Sequence, residues 1–163
     1  MVSTDERMTR RLGWSIGACL RAGDVVLLDG EMGAGKSVLT RAAARAMGVE
    51  GAVPSPTFTI LNIHEGKRLR LYHFDLYRLE DEDALYEMGL DEFIPPADGA
   101  AMIEWPQMAS GAMPEDALSV RLAYAQDGMA RTIELTPGGA FDERRIEEIF
   151  KHMEALADEH FDD

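Results

Sequence analysis

The sequence predicts an α/β domain with a mixed, mostly parallel central sheet flanked by helices. Three observations point there. The apolar runs Asp24–Asp29 and Ala100–Glu104 lack the alternation of a half-exposed strand, as strands buried on both faces do. Segments of helical period lie between the strands, the pattern of a layered α/β fold. A length of 163 residues suits one domain and leaves no room for a second catalytic module.

Each element has its own signal. Ser3-x-x-Glu6 reads as a capping box opening a helix to about Leu20. Met8, Leu12, Ile16 and Leu20 recur every four residues and form its buried stripe. Cys19 lies beside that stripe and reads as a packed thiol, because no catalytic partner is legible. The strand Asp24–Asp29 enters a glycine-rich turn, Gly30–Gly35. Lys36–Met47 is an alanine-rich helix stopped by Gly48. After the loop Pro54-Ser55-Pro56, Thr57–His64 reads as a strand, and Glu65-Gly66-Lys67 turns it into a hairpin partner, Leu69–Asp75. A short acidic helix covers about Asp81–Met88 and ends at Gly89. Pro106 stops the strand Ala100–Glu104. Leu118–Tyr124 and Met129–Leu135 flank the hairpin signal Asp127-Gly128. Phe141 to about Ala157 is an amphipathic helix with Ile146, Ile149, Phe150, Met153 and Leu156 inward.

Composition excludes several classes. Hydrophobic residues make up 46% and charged residues 28%, an ordinary globular mixture and not that of a disordered, collagenous or membrane protein. The longest aliphatic run, Val25–Leu28, is far short of the ~20 residues that span a bilayer. Acids stand near the N-terminus where a signal peptide carries bases, and the single cysteine forms no internal disulfide. The expectation is a cytoplasmic protein without membrane contact. Net charge is −14, and it is localised: Glu80–Glu92 holds seven acids and no base, and Ala140–Asp163 is net −6. Neither segment can displace counterions from phosphates, so direct, tight binding of DNA or RNA is not expected. The acids read as solvated helix faces or, more sharply, as a docking surface for a basic partner.

Gly30-Glu31-Met32-Gly33-Ala34-Gly35-Lys36-Ser37 fits G-x-x-x-x-G-K-[ST], the P-loop, between a buried strand and a helix. Glycines let successive N–H groups turn toward phosphate oxygens, and the helix adds its positive end. Lys36 is expected on the β- and γ-phosphates and Ser37 on Mg²⁺. Glu31, Met32, Gly33, Ala34, Gly35, Lys36, Ser37 and Val38 form the candidate nucleotide-binding set, and the fold expected is that of a P-loop NTPase. Such a site needs a carboxylate at a strand end, and two qualify: Asp75 and Glu104. Thr57, opening a strand after a loop, stands where a switch would present a threonine, although a simple strand start explains it too. His73 has no ligand partner in sequence, and the four histidines show no zinc spacing. The ten methionines sit mostly at apolar positions and read as core.

The P-loop, Ser55-Pro56-Thr57-Phe58, His73-Phe74-Asp75-Leu76-Tyr77-Arg78-Leu79, Glu87-Met88-Gly89 and Ile103-Glu104-Trp105-Pro106 occur in this order. The series resembles the TsaE (YjeE) family of small bacterial ATPases, from about residue 4 to residue 125. The resemblance implies work in making threonylcarbamoyladenosine beside the tRNA anticodon, with ATP and Mg²⁺ as cofactors. It implies that Thr57 is a switch-like threonine and that Asp75 and Glu104 are needed for hydrolysis, Glu104 being the favoured Mg²⁺ contact. It places Trp105 beside the site. It implies TsaD and TsaB as partners, ATP-dependent resetting of their complex between turnovers, and contact with tRNA only through that complex. Two other readings compete. A small-molecule or nucleotide kinase would need an arginine-rich lid, and Lys67-Arg68-Leu69-Arg70 is a thin one; a GTPase would need N-K-x-D, which is absent. A non-catalytic, nucleotide-gated binding module is the remaining alternative.

Overall fold

The computed structural model describes residues 1–3, 5–54, 56 and 59–156. Its first strand, β1 (Val2–Ser3), precedes α1 (Glu6–Cys19). The capping box is corrected here. Asp5 is the N-cap and accepts from Met8 N–H, while the Ser3 hydroxyl donates to the Asp5 carbonyl and meets the Thr9 hydroxyl at 2.9 Å. An ionised carboxylate at a helix start gains from the helix dipole as well as from the hydrogen bond, and here Asp5 rather than Ser3 holds that place.

Next come β2 (Val25–Gly30), α2 (Lys36–Ala46), β3 (Leu61–His64) and β4 (Arg70–Asp75). The strand expected from Thr57 begins only at Leu61, although the Ile60 carbonyl still accepts from Asp75 N–H at 2.9 Å. α3 (Glu82–Glu87) is capped by Asp81 and ends before Gly89, whose φ of 71° is the left-handed stop that glycine favours. β5 (Gly99–Glu104), β6 (Leu118–Tyr124), β7 (Arg131–Thr136) and α4 (Glu143–Ala155) follow, with 3₁₀ segments at Leu90–Phe93 and Pro106–Ala112.

The strands form one sheet in the order β1-β7-β6-β2-β5-β4-β3. β4, β5, β2 and β6 run parallel at its centre, and β3, β7 and β1 join antiparallel at the margins. Side chains alternate between two apolar layers. Val26, Leu28, Leu71, Ala100 and Met102 face α1, α2 and α4. Val25, Tyr72, Phe74, Ala101 and Ile103 face α3 and the 3₁₀ segments. Both faces of the central strands are therefore buried, which is why their sequences run apolar without alternation.

α1 lies unusually close to α2. A Cβ on Gly13 would come within 2.4 Å of the Leu39 carbonyl oxygen, and one on Gly17 within 2.3 Å of that of Ala43. Glycine at both positions lets one backbone rest on the other. α4 is tied to the start of β2 by Arg145, whose two terminal nitrogens reach the Asp24 carboxylate at 2.7 and 2.6 Å. Ile149, Met153 and Leu156 are buried as expected, with Ile146 and Phe150 packed at the margin.

Candidate functional site

Strand parity builds the site. His73 and Asp75 on β4 pair with Met102 and Glu104 on β5, so these side chains share the face that carries α2. Both strands end where β2 enters the glycine loop. The C-terminal ends of parallel strands, beside the crossover to a helix, are the usual ligand position of open α/β sheets.

The loop has the backbone the motif requires. Gly33 and Gly35 have φ of 79° and 112°, in the left-handed region. Gly35 is the N-cap of α2 and offers no side chain to cap it, so the positive end of that helix faces the loop without a capping side chain. Tyr124 of β6 braces the loop by donating its hydroxyl to the Gly33 carbonyl at 3.0 Å. Thr40 donates to the Lys36 carbonyl at 2.9 Å and fixes the first turn. Glu31 and Met32 stand exposed at the tip, and Ala34 is buried beneath. Val38 lines a cavity of about 140 Å³ between the loop and the start of α1, together with Thr9 and Arg131.

Lys36 is the central group. It is only 6% exposed, and its Nζ makes no hydrogen bond. That nitrogen lies 4.0 Å from the centre of the Trp105 ring, a cation–π contact. Burial lowers the Lys36 pKa, while Glu104, Asp75 and Asp29 pull it back up. A buried cation without an acceptor is costly and suits an incoming anion. Trp105 itself has φ 58°, rare for a non-glycine residue, and its ring lies 4.9 Å from that of Tyr77. The chain turns sharply there, between the end of β5 and Pro106.

Glu104 is 5% exposed, and its Oε2 meets His73 Nε2 at 2.9 Å. Asp75 accepts from Tyr77 N–H at 3.1 Å. Burial raises the Asp75 pKa, and the Glu104 charge adds to the rise. The donor set fits the expected ligands: an orphaned lysine at the start of a helix for phosphates, and two strand-end carboxylates facing that lysine for Mg²⁺. Mg²⁺ keeps several waters and is commonly held by one or two carboxylates plus phosphate oxygens. No trio of histidine, cysteine or acidic side chains that could hold a metal alone exists among the described residues.

Lys36, Asp75, Glu104 and Trp105 thus come together from three segments, with Ser37 next to Lys36 on the first turn of α2. Thr57 lies outside the described residues. His73 was missed by spacing along the chain, yet its parity with Asp75 on one strand was a usable signal. Tyr124 was missed too, because 91 residues separate it from Gly33. Cys19 is half-buried against α4, and burial pushes its thiol pKa up, the opposite of a nucleophile's environment. No helix among the described residues is long and apolar enough to cross a membrane.

The comparisons agree with this geometry. The family model "Threonylcarbamoyl adenosine biosynthesis protein TsaE" matches residues 3–133. The chain is similar to a protein of Bacillus subtilis (strain 168), 35% identical over 144 residues, covering 88% of this chain and 89% of the other. It is similar to one of Nostoc sp., 37% identical over 139 residues and 82% of each chain. Both are named tRNA threonylcarbamoyladenosine biosynthesis protein TsaE. Among solved structures, Bacillus subtilis YdiB superposes with a TM-score of 0.79 at 29% identity, over 93% of each chain. A family match across four-fifths of the chain, over a fold and a loop that agree with it, makes this chain a member of the TsaE family.

Proposed function

We propose that the chain is an Mg²⁺-dependent ATPase of tRNA threonylcarbamoyladenosine biosynthesis, acting with TsaD and TsaB and resetting their complex between turnovers. The observation that carries the reading is Lys36: a buried ammonium without an acceptor, at the mouth of a glycine loop and facing two carboxylates. Family membership supplies the pathway.

Mg²⁺, when bound, would supply charge neutralisation to the phosphoryl group of ATP. The loop amides from Gly33 to Ser37 bind the phosphates. Lys36 leaves the Trp105 face and neutralises charge between them. Ser37, Glu104 and Asp75 would hold the metal. His73 keeps the Glu104 carboxylate turned toward the site. The sequence carries no motif that marks an arginine finger, and Arg131 and Arg121 only line cavities beside the loop. An added arginine accelerates such sites ~10³–10⁵-fold, so turnover alone is slow and the partners stimulate it.

The test compares Lys36→Ala with Glu104→Gln, both checked for folding. Lys36→Ala should lose nearly all ADP and ATP affinity by calorimetry, because the point charge on the phosphates is gone. Glu104→Gln should keep most nucleotide affinity and lose most partner-stimulated turnover. Near-normal affinity in folded Lys36→Ala removes the loop assignment. Phosphoryl transfer to a small acceptor would instead reveal a kinase.

A further inference from the structure

The groove on the outer side of α1 and α2 shares a single lining residue, Val38, with the cavity beside the glycine loop. Its volume is about 480 Å³. Trp14, Arg10, Arg41, Arg45 and Lys67 line it, and Glu50 is the one acid among its lining residues. On a chain of net charge −14, four cations around one groove are a marked local reversal. The acids lie elsewhere. α3 packs into the opposite apolar layer, across the sheet, and α4 meets α1 along Ser15 and Cys19. At physiological salt the Debye length is ~8 Å, so the local charge decides what the groove attracts.

We propose that this groove binds single-stranded RNA, a base stacking on Trp14 with flanking phosphates on Arg41, Arg45 and Lys67. The composition fits that ligand. Three of the four cations are arginines, whose flat guanidinium pairs with phosphate and stacks on bases. Arg41 and Arg45 stand one turn apart on one face of α2, a regular spacing suited to successive phosphates. A positive groove with an aromatic platform is the general device for binding single strands. The solvent-exposed ion pair at the groove is easily exchanged. Lys67 and Glu50 pair at 2.5 Å with both side chains about three-quarters exposed, and Arg10 pairs with Glu6 on its own helix. Arg45 gives one N–H to the Val49 carbonyl at 2.9 Å and keeps other donors of its fork. The inference rests on family membership for the relevance of RNA and on no part of the ATPase reading. It departs from the expectation, drawn from the two acidic segments and from the family resemblance, that tRNA is met only through partners.

The experiment is fluorescence anisotropy with a fluorescein-labelled 12-nucleotide oligouridylate and nucleotide-free protein. With three phosphates neutralised, affinity should fall roughly 20-fold between 50 and 200 mM salt. Arg41→Glu/Arg45→Glu should weaken binding at least tenfold, and Trp14→Leu about tenfold. ADP affinity should stay unchanged in both, which separates this site from the P-loop. Lys67→Glu, on a different element, repeats the test should the helix variant fail to fold. The proposal is overturned if the oligonucleotide does not bind, or if the reversals leave its affinity intact. It is also overturned if polyglutamate binds as tightly with the same residue dependence; the groove is then a dock for an acidic peptide.

Discussion

On the proposed reading, a single half-buried carboxylate, Asp75, sets function against stability. Burial, and then Glu104, raise the Asp75 pKa. The folded state therefore disfavours the charged form. Asp75 costs stability as pH rises from the ordinary value of 3.8 through its raised value, and the full cost persists above it. Asp75→Asn should thus raise the melting temperature of nucleotide-free protein at pH 7, by ~2–4 °C for each kcal/mol relieved, while lowering turnover. The gain should vanish below pH 4, where the parent is protonated as well. Equal melting at pH 7 would show that the carboxylate is not held at a cost. His73 acts one step further out. Its Nε2 fixes Glu104, so His73→Ala should lower turnover ~10–100-fold and leave ADP affinity within about twofold. His73→Gln, which keeps a donor near that point, should recover part of the rate. A parallel fall in ADP affinity would make the role merely structural.

Among the elements, legibility in the sequence followed the range of the interactions involved. β6 was read at its observed bounds because its apolar alternation and the Asp127-Gly128 turn are local. α2 and β2 were read within a residue or two for the same reason. β1 was invisible, since two residues carry no period and its existence depends on β7. Gly13 and Gly17 were passed over inside a helical pattern, because their purpose is the approach of α2. Gly17→Ala should push the two helices apart and cost ~1–3 kcal/mol, measured as a lower urea midpoint. An unchanged midpoint would mean that the pair relaxes without strain. The chemistry divides the same way. Lys36, Ser37, Asp75 and Glu104 were legible from motif and strand end. The His73–Glu104 pair, the Lys36–Trp105 contact and the Tyr124 brace join segments that only the sheet order brings together.

For the molecule as a whole, the acid-rich α3 bears on partner docking. Tyr77, Tyr86 and Met88 are each about half exposed around this helix, and the Tyr77 ring touches Trp105. Apolar side chains set among acids, one contact from the site, suit a partner that both binds and adjusts it. Asp81 is committed to capping α3, since its carboxylate accepts from Ala84 N–H at 2.9 Å. The informative variant spares it: Glu80→Gln/Asp83→Asn/Glu87→Gln. It should fold normally, weaken the complex with TsaB–TsaD several-fold at low salt, and lower stimulated ATPase in step. Complex formation that is unaltered at both low and raised salt would return these acids to plain solvation.

The sheet order also sets when the protein becomes itself. β2 carries the glycine loop, yet its hydrogen-bonded neighbours are residues 99–104 and 118–124. The loop is translated within the first quarter of the chain, and the strands that hold it arrive in the last half. Such distant pairings form late, after the entropy of closing the long intervening segments has been overcome. A growing chain on the ribosome therefore displays the motif long before it owns the site. Only when Tyr124 has emerged and reached Gly33 does the loop acquire its last support. On the nucleotide-binding reading, the loop is therefore competent only after β6 has been made and paired with β2.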